Sequence, residues 1–373
     1  MIDTIVLTLT KDMYHVSEPD KFKPSAAWVN NPTAKIRSMV SKQNSTKKEL
    51  LAGIYKPHLT IAHRINNLGS QVMLKIELSL PKLIFGNNFD ELQYKDFKSI
   101  ITKLVNALKD MGVTVTADTL CKASVSAIHY SKNIPFTDGS IPYSYINKIK
   151  EANIQLSLDV NQTDYRNDGH SYKWHCNRYE VVFYDKIRDL EKAKQSSKRA
   201  LEKDSNLQLN IFNTLTKRNK LEILRMEVRL NKRDKMKQLF KKLKIKSNLT
   251  FKSLFKPAIS KKILLHYVDE LESKRPKLLD YKVKSDKGLL TDLIINNPDL
   301  DSKKVLQLFG LKKAIEVVNL RELRTLLGNY SDRTWYRLMQ DANKVNLPTS
   351  PSPFNAIRAC INKFRPLRLN KFI

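Results

Sequence analysis

The sequence predicts an α+β protein: an antiparallel sheet with helices on one side to about residue 235, then a mostly helical, strongly basic segment. Three observations predict it. The runs QVMLKIELSL (71–80) and EILRMEVRLN (222–231) alternate apolar and polar residues, the period of a strand with one face on a core. YKDFKSIITKLVNALKDMG (94–112) has helical spacing instead, with Gly112 as its stop. Composition then shifts: residues 232–262 hold twelve basic residues against one acid, Asp234, and the pattern stays helical to about residue 345. The expected domains are 1–235 and 236–373.

In chain order, IVLTLT (5–10) and HLTIAHRI (58–65) read as strands. Within 71–80, Val72, Leu74, Ile76 and Leu78 fall on one face and Met73, Lys75, Glu77 and Ser79 on the other; Pro81 ends the strand, and Gly86-Asn87-Asn88 makes a turn. KASVSAIHYS (122–131) and YEVVFYDK (179–186) are further strands. His129 should share a face with Val125 and Ala127, and Tyr184 and Lys186 a face with Glu180 and Val182. IRDLEKAKQSSKRALEKD (187–204) reads as a polar helix. In 222–231, Arg225, Glu227, Arg229 and Asn231 oppose Leu224, Met226, Val228 and Leu230. Residues 318–348 read as helix, break, helix: Leu320, Leu323, Leu326 and Leu327 form a stripe, Gly328-Asn329 end it, and Ser331 caps a second helix carrying Arg333, Trp335, Tyr336 and Arg337. That is the outline of a helix-turn-helix.

A chain of 373 residues with 41% hydrophobic content can bury two ordinary cores. Its 67 Lys+Arg against 37 Asp+Glu give a formal charge of +30. Self-repulsion of that size opposes compactness, so it points to a polyanion: nucleic acid first, an anionic membrane surface second. Polar residues interrupt every apolar stretch short of the ~18 needed to span a membrane. The opening MIDTIVLTLTKD has an acid where a secretion signal needs a basic region. Cys121, Cys176 and Cys360 lie far apart, which argues against a zinc module or disulfide framework and for a cytoplasmic location. With nine glycines and no phosphate-binding loop, the chain does not read as an NTPase.

Glu77, His129 and Glu227 each stand on the polar face of a predicted strand. Were those strands in one sheet, the three could hold an octahedral Mg²⁺ or Mn²⁺ with positions open for phosphate oxygens. Such a metal would polarise a scissile phosphate, and a tyrosinate would attack it. A tyrosine with pKa about 10 needs a cation to ionise, and Lys186, two residues after Tyr184, is the candidate. The plainer account is that a lone Glu on a strand is solvated and a lone Tyr is packing. His58 and His63, five apart, face opposite ways and share no metal. The basic run supplies the expected phosphate contacts: Lys232, Arg233, Lys241, Lys242, Lys244 and Lys246.

Taken in order, several segments resemble the replication initiators of filamentous phages, the gene II/gene X protein family also found on rolling-circle plasmids. They are MIDTIVLTLT, LKIELSLPKLIFGNNFDEL (74–92), SVSAIHYSKNI (124–134), VVFYDKIRDLEK (181–192), LRMEVRLN (224–231), LGNYSDRTWYRLMQDANKVNLP (327–348) and IRACINKFRPLRLN (357–370). The resemblance implies a sheet-based nicking and strand-transfer domain followed by a DNA-binding domain. It implies a metal-dependent endonuclease that nicks one strand at an origin through a covalent 5′-phosphotyrosine and later rejoins the displaced strand. DNA, a host helicase and a host polymerase are the partners it implies, in a bacterial cytoplasm. Tyr184 and Lys186 match the family's tyrosine and the lysine two residues on; Glu77 and Glu227 match its glutamates. His129 departs, standing where the family has an aspartate. Arg333 and Arg337, four apart on the second helix, are expected to read bases. The reading from a different class is a non-catalytic origin-binding factor, with Tyr184 as core.

Overall fold

The computed structural model describes residues 1–30, 39–46, 48–49, 52–66, 69–151, 162–166, 168–189, 222–281, 285–318, 320–348 and 352–368. The fold is α+β. Its centre is a nine-stranded sheet, antiparallel throughout, built from β1 (Ile2–Thr10), β3 (Val40–Gln43), β4 (His58–Asn66), β5 (Gly69–Ser79), β7 (Ser124–Phe136), β8 (Gln162–Arg166), β9 (Ser171–His175), β10 (Tyr179–Asp185) and β11 (Glu222–Leu230). The spatial order is β3-β4-β5-β1-β7-β11-β10-β9-β8, so β11 joins strands far earlier in the chain. A separate two-stranded ribbon pairs β2 (His15–Val16) with β6 (Val113–Thr114).

The alternation in the sequence becomes two faces. Leu74, Ile76 and Leu78 of β5 and Leu224, Met226, Val228 and Leu230 of β11 are buried beneath the helices, each contributing on the order of 1.5–3 kcal/mol. Helix Phe97–Asp110 lays Ile100, Ile101, Leu104 and Leu108 on this layer. It ends at Gly112, whose φ of +75° and whose absent Cβ, which would meet Glu18 Cβ at 2.6 Å, leave only glycine able to fit. The predicted strands at 58–65, 122–131, 179–186 and 222–231 are present to within a few residues, apart from the longer β7. The strand ends at Ser79, just before the expected stop at Pro81, and Leu80–Phe85 is a short helix capped by Gly86. Beyond residue 189 the helix read over 187–204 lies outside the described residues.

Buried residues form two cores, and residue 235 does not separate them. Met236, Leu239 and Phe240 of helix Arg233–Lys242, and Ile263, Leu264, Tyr267 and Leu271 of helix Pro257–Ser273, belong to the sheet's core; so do Phe354, Ile357 and Ile361 near the C-terminus. The lysine run therefore decorates helices whose apolar side completes the sheet layer. The second core gathers Leu278 to Leu347 from helices Asp286–Ile295, Ser302–Val317, Leu320–Leu326 and Asp332–Lys344. Ser285, Asp301 and Ser331 cap three of these by accepting the backbone N–H of Gly288, Lys304 and Thr334. Of the expected stripe, Leu320 and Leu323 are buried and Leu327 packs against the same core, whereas Leu326, at the edge of the stripe, is 67% exposed. Among the described residues no helix is long and apolar enough to cross a membrane.

Candidate active site

The polar face of β7, β11 and β10 buries a cluster of charged side chains. Register sets the rows: Tyr184 lies opposite Arg225 and Arg225 opposite Asn133; Val182, Glu227 and Ser131 form the next row; Glu180, Arg229 and His129 the third. Tyr184 donates its hydroxyl hydrogen to Glu227 Oε1 at 2.7 Å. Arg225 donates Nε–H to the same oxygen at 2.7 Å, and Arg229 approaches Oε2 with Nε at 2.9 Å and Nη2 at 2.7 Å. The two carboxylate oxygens offer about four lone-pair positions, and these four contacts fill them. Arg225 also reaches Asn133 Oδ1 at 3.1 Å, Ser131 Oγ at 3.2 Å, the Asn88 carbonyl at 2.8 Å and Asp3 of β1 at 2.9 Å. Arg229 continues to Glu180 at 3.1 Å.

Burial is nearly complete: Arg225 and Glu227 are each 2% exposed, Lys186 is 1% and Tyr184 9%. Burial pushes the Glu227 carboxyl up, but the guanidiniums of Arg229 and Arg225 and the Tyr184 hydroxyl outweigh it and hold the group well below the usual carboxylate range. Tyr184 moves the other way. Burial raises it well above an ordinary tyrosine; Arg225 opposes that and Glu227 adds to it. The cation acting on the hydroxyl is thus Arg225, not Lys186 as the sequence suggested. Lys186 lies just past the end of β10 with Nζ 5.7 Å from the Tyr184 ring centroid and 5.3 Å from that of Phe89. Burial, with Arg225 nearby, lowers its ammonium to about 7.

That shift is a stability statement. An ordinary lysine, near 10.4, stays protonated in the unfolded chain while the folded chain has released its proton. The unfolded state then binds more protons between about pH 7 and 10.4, and stability rises with pH across that window. Lys186→Met keeps the stem and removes the charge. It is expected to stabilise the sheet unit at pH 6 by up to roughly 4–5 kcal/mol and to flatten the rise toward pH 10. Native-state exchange of the β10 and β11 amides at several pH values reads both, and an unchanged pH slope in the variant would refute the assignment.

The three expected metal ligands are not brought together. Glu77 is exposed on β5, three strands from β11. It pairs with Val6, Val6 with Ala127, and Ala127 stands four residues along β7 from Ser131, the partner of Glu227. Strand spacing and rise put the two glutamates roughly 14 Å apart across the sheet and about 13 Å along it. His129 shares its face with Ala127 but not with Val125: the β1–β7 register shifts between Val6 and Leu7 and turns Val125 into the core opposite Leu7. His129 pairs with Arg229, and burial together with that guanidinium lowers its pKa. A carboxylate saturated by two arginines and an imidazole beside one of them do not suit a dication. Among the described residues no group of three His, Cys, Asp or Glu side chains could hold a metal ion.

Lys232, Arg233, Lys241, Lys242, Lys244 and Lys246 are all exposed. They lie on the helical side of the sheet, where Lys235 Nζ sits 4.1 Å from the Tyr179 ring centroid, and not on the face of Tyr184. Lys242 is partly spoken for by Glu270 at 2.9 Å. Arg333 and Arg337 are exposed on helix Asp332–Lys344, whose Trp335, Leu338, Met339 and Ala342 are buried. Arg324 locks the turn before it, bonding the Tyr330 carbonyl at 2.9 Å and Asp332 at 2.7 Å. Residue-by-residue sequence reading missed Arg225, Asp3 and Asn133. The signal lay in Arg-Met-Glu-Val-Arg: three charges of alternating sign on one face of a strand can only be buried as partners. No family model, curated protein or solved structure matches the chain.

Proposed function

We propose that the chain is a replication initiator of the rolling-circle type, which nicks one DNA strand through Tyr184 and later rejoins the displaced strand. The observation that carries this is the Tyr184 hydroxyl held on Glu227 between two guanidiniums. In the reaction, the Tyr184 oxygen bonds to phosphorus, the P–O3′ bond breaks, and the 3′-oxygen leaves as a hydroxyl a polymerase can extend. The phenolic proton leaves by way of Glu227 and solvent and ends on the departing 3′-oxygen, and the 5′ end stays on the tyrosine as a phosphodiester. Arg225 and Arg229 provide the fixed positive charge that a pentavalent phosphate requires. Among the described residues the divalent cation that the resemblance implies has no ligand set, so no step is routed through it.

The test uses 3′-labelled single-stranded oligonucleotides tiled across the DNA flanking the coding sequence, incubated with the full chain and Mg²⁺ or Mn²⁺. A label migrating with the protein on a denaturing gel is expected. A second reading, a non-catalytic origin-binding protein, is favoured by the burial of the hydroxyl and its raised pKa. Binding without any covalent label, across all oligonucleotides and both metals, would establish that reading instead.

The +30 charge supports DNA as the partner in either case. The lysines of 232–262 are taken to contact phosphates, and Arg333 and Arg337 to read guanine edges, each good bidentate contact giving roughly 1–3 kcal/mol of discrimination. Arg333→Ala or Arg337→Ala is therefore expected to lower the ratio of specific to random DNA affinity about tenfold or more, with random binding little changed. A competition assay in which both affinities drop equally would reduce the two arginines to phosphate contacts.

A further inference from the structure

Beside Tyr184 the chain packs one of its own turns against Arg225 and Lys186. After helix Leu80–Phe85 the backbone turns at Gly86, φ 70°, into Asn87. The Asn87 side chain accepts the N–H of Phe89 at 3.0 Å and of Asp90 at 2.9 Å, and donates to the Phe85 carbonyl at 3.2 Å. The turn is thus tied by its own side chain. It delivers the Asn88 carbonyl to Arg225 Nη1 and the fully buried Phe89 ring to Lys186, whose amine sits between that ring and Tyr184. Asn133 donates to the Phe89 carbonyl at 2.8 Å.

The far end of the turn is clamped. Glu91, 5% exposed, accepts the Asn133 N–H at 2.6 Å, the Leu367 N–H at 2.9 Å and the Lys132 ammonium, while its own N–H donates to the Leu367 carbonyl at 3.1 Å. Lys132 also donates to the Arg365 carbonyl at 2.8 Å. Residues 364–368 are thus a strap over the turn, leaving helix Pro353–Lys363 through Phe364, which is held in the left-handed region at φ 45°. A cleft of about 100 Å³ is lined by Glu91, Lys132 and the strap residues Phe364 and Pro366.

We propose that Asn88 and Phe89 occupy the subsite of a nucleotide of single-stranded DNA, and that Glu91, through the 364–368 strap, holds them there until DNA displaces them. The Asn88 carbonyl stands where a phosphate oxygen would take the Arg225 N–H, and a charged oxygen is the stronger acceptor. The Phe89 ring stands where a base would lie, since bases stack on flat apolar surfaces whatever their sequence. Displacement uncovers Tyr184 only when a strand is present to be cut, which reconciles a buried hydroxyl with a nucleophile. The proposal rests on the tyrosine reading above.

Amide exchange tests it in the full chain carrying Tyr184→Phe, so that no covalent step intervenes. A short oligothymidylate is expected to speed exchange at Phe89, Asp90 and Leu367 at least tenfold, with β11 unchanged. Leu367→Pro, which removes the N–H bonded to Glu91, and Glu91→Gln should each speed exchange at Phe89 and Asp90 without DNA. Two variants guard against one that fails to fold. Oligothymidylate that fails to bind, or binds without speeding those amides, overturns the proposal, as does a folded strap variant with Phe89 still protected. Faster exchange alongside an absence of covalent label in the unsubstituted protein would refute the tyrosine chemistry and leave this displacement standing.

Discussion

Tyr184→Phe is expected to reduce covalent attachment and nicking below detection while leaving DNA affinity within about twofold. The ring remains, so the packing of β10 is kept; only the hydroxyl that donates to Glu227 at 2.7 Å is lost. A hydrogen bond to a charged group contributes roughly 1.5–3 kcal/mol, and Glu227 retains both arginines, so the chain should stay folded with modestly lower stability. Circular dichroism and the denaturing gel read the two halves of the expectation. Undiminished label in the variant would force a search among other tyrosines. Tyr179 and Tyr172 are poor substitutes, because both face the helical core at 0% and 1% exposure.

The strands were legible because period-two alternation is a local property, and β5 and β11 carry it without interruption. The bulge that turns Val125 inward was not, since register shifts are set by the partner strand, β1. Composition suggested a boundary near residue 235, yet the sheet's core continues to Leu271, because lysines on the outer side of a helix say nothing about what its inner side covers. Tyr184 and Glu227 were both picked out, but as a nucleophile and a metal ligand. Their direct bond depends on β10 and β11 being neighbours, and they are separated by some forty residues of chain. Glu77 was placed on the correct face, but distance along and across a sheet cannot be read from alternation. The strap was illegible for the same reason: Glu91 and Leu367 meet across most of the sequence.

The largest loss of stability is expected at Glu227. Glu227→Gln keeps the shape and removes the charge, and the amide brings N–H donors against guanidinium donors. Buried Arg225 and half-buried Arg229 then lose the carboxylate they share, retaining Asp3 and Glu180 as acidic partners. Breaking a buried ion pair by deleting one partner typically costs about 3–5 kcal/mol, and the remaining acids place this case near the lower end. The pH dependence follows from the sign of the shift. Glu227 is held well below its unfolded value, so its contribution is complete above about pH 4.3 and is lost as pH falls through the folded value. The gap between native and variant proteins should therefore be widest near neutrality and close progressively in acid. With two separate cores, global unfolding would mix two transitions, so protection of the β11 amides is the measure to follow. A variant within about 0.5 kcal/mol of the native protein at pH 7 would mean that the arginines do not depend on Glu227. The arrangement proposed to activate Tyr184 would then lose its physical basis.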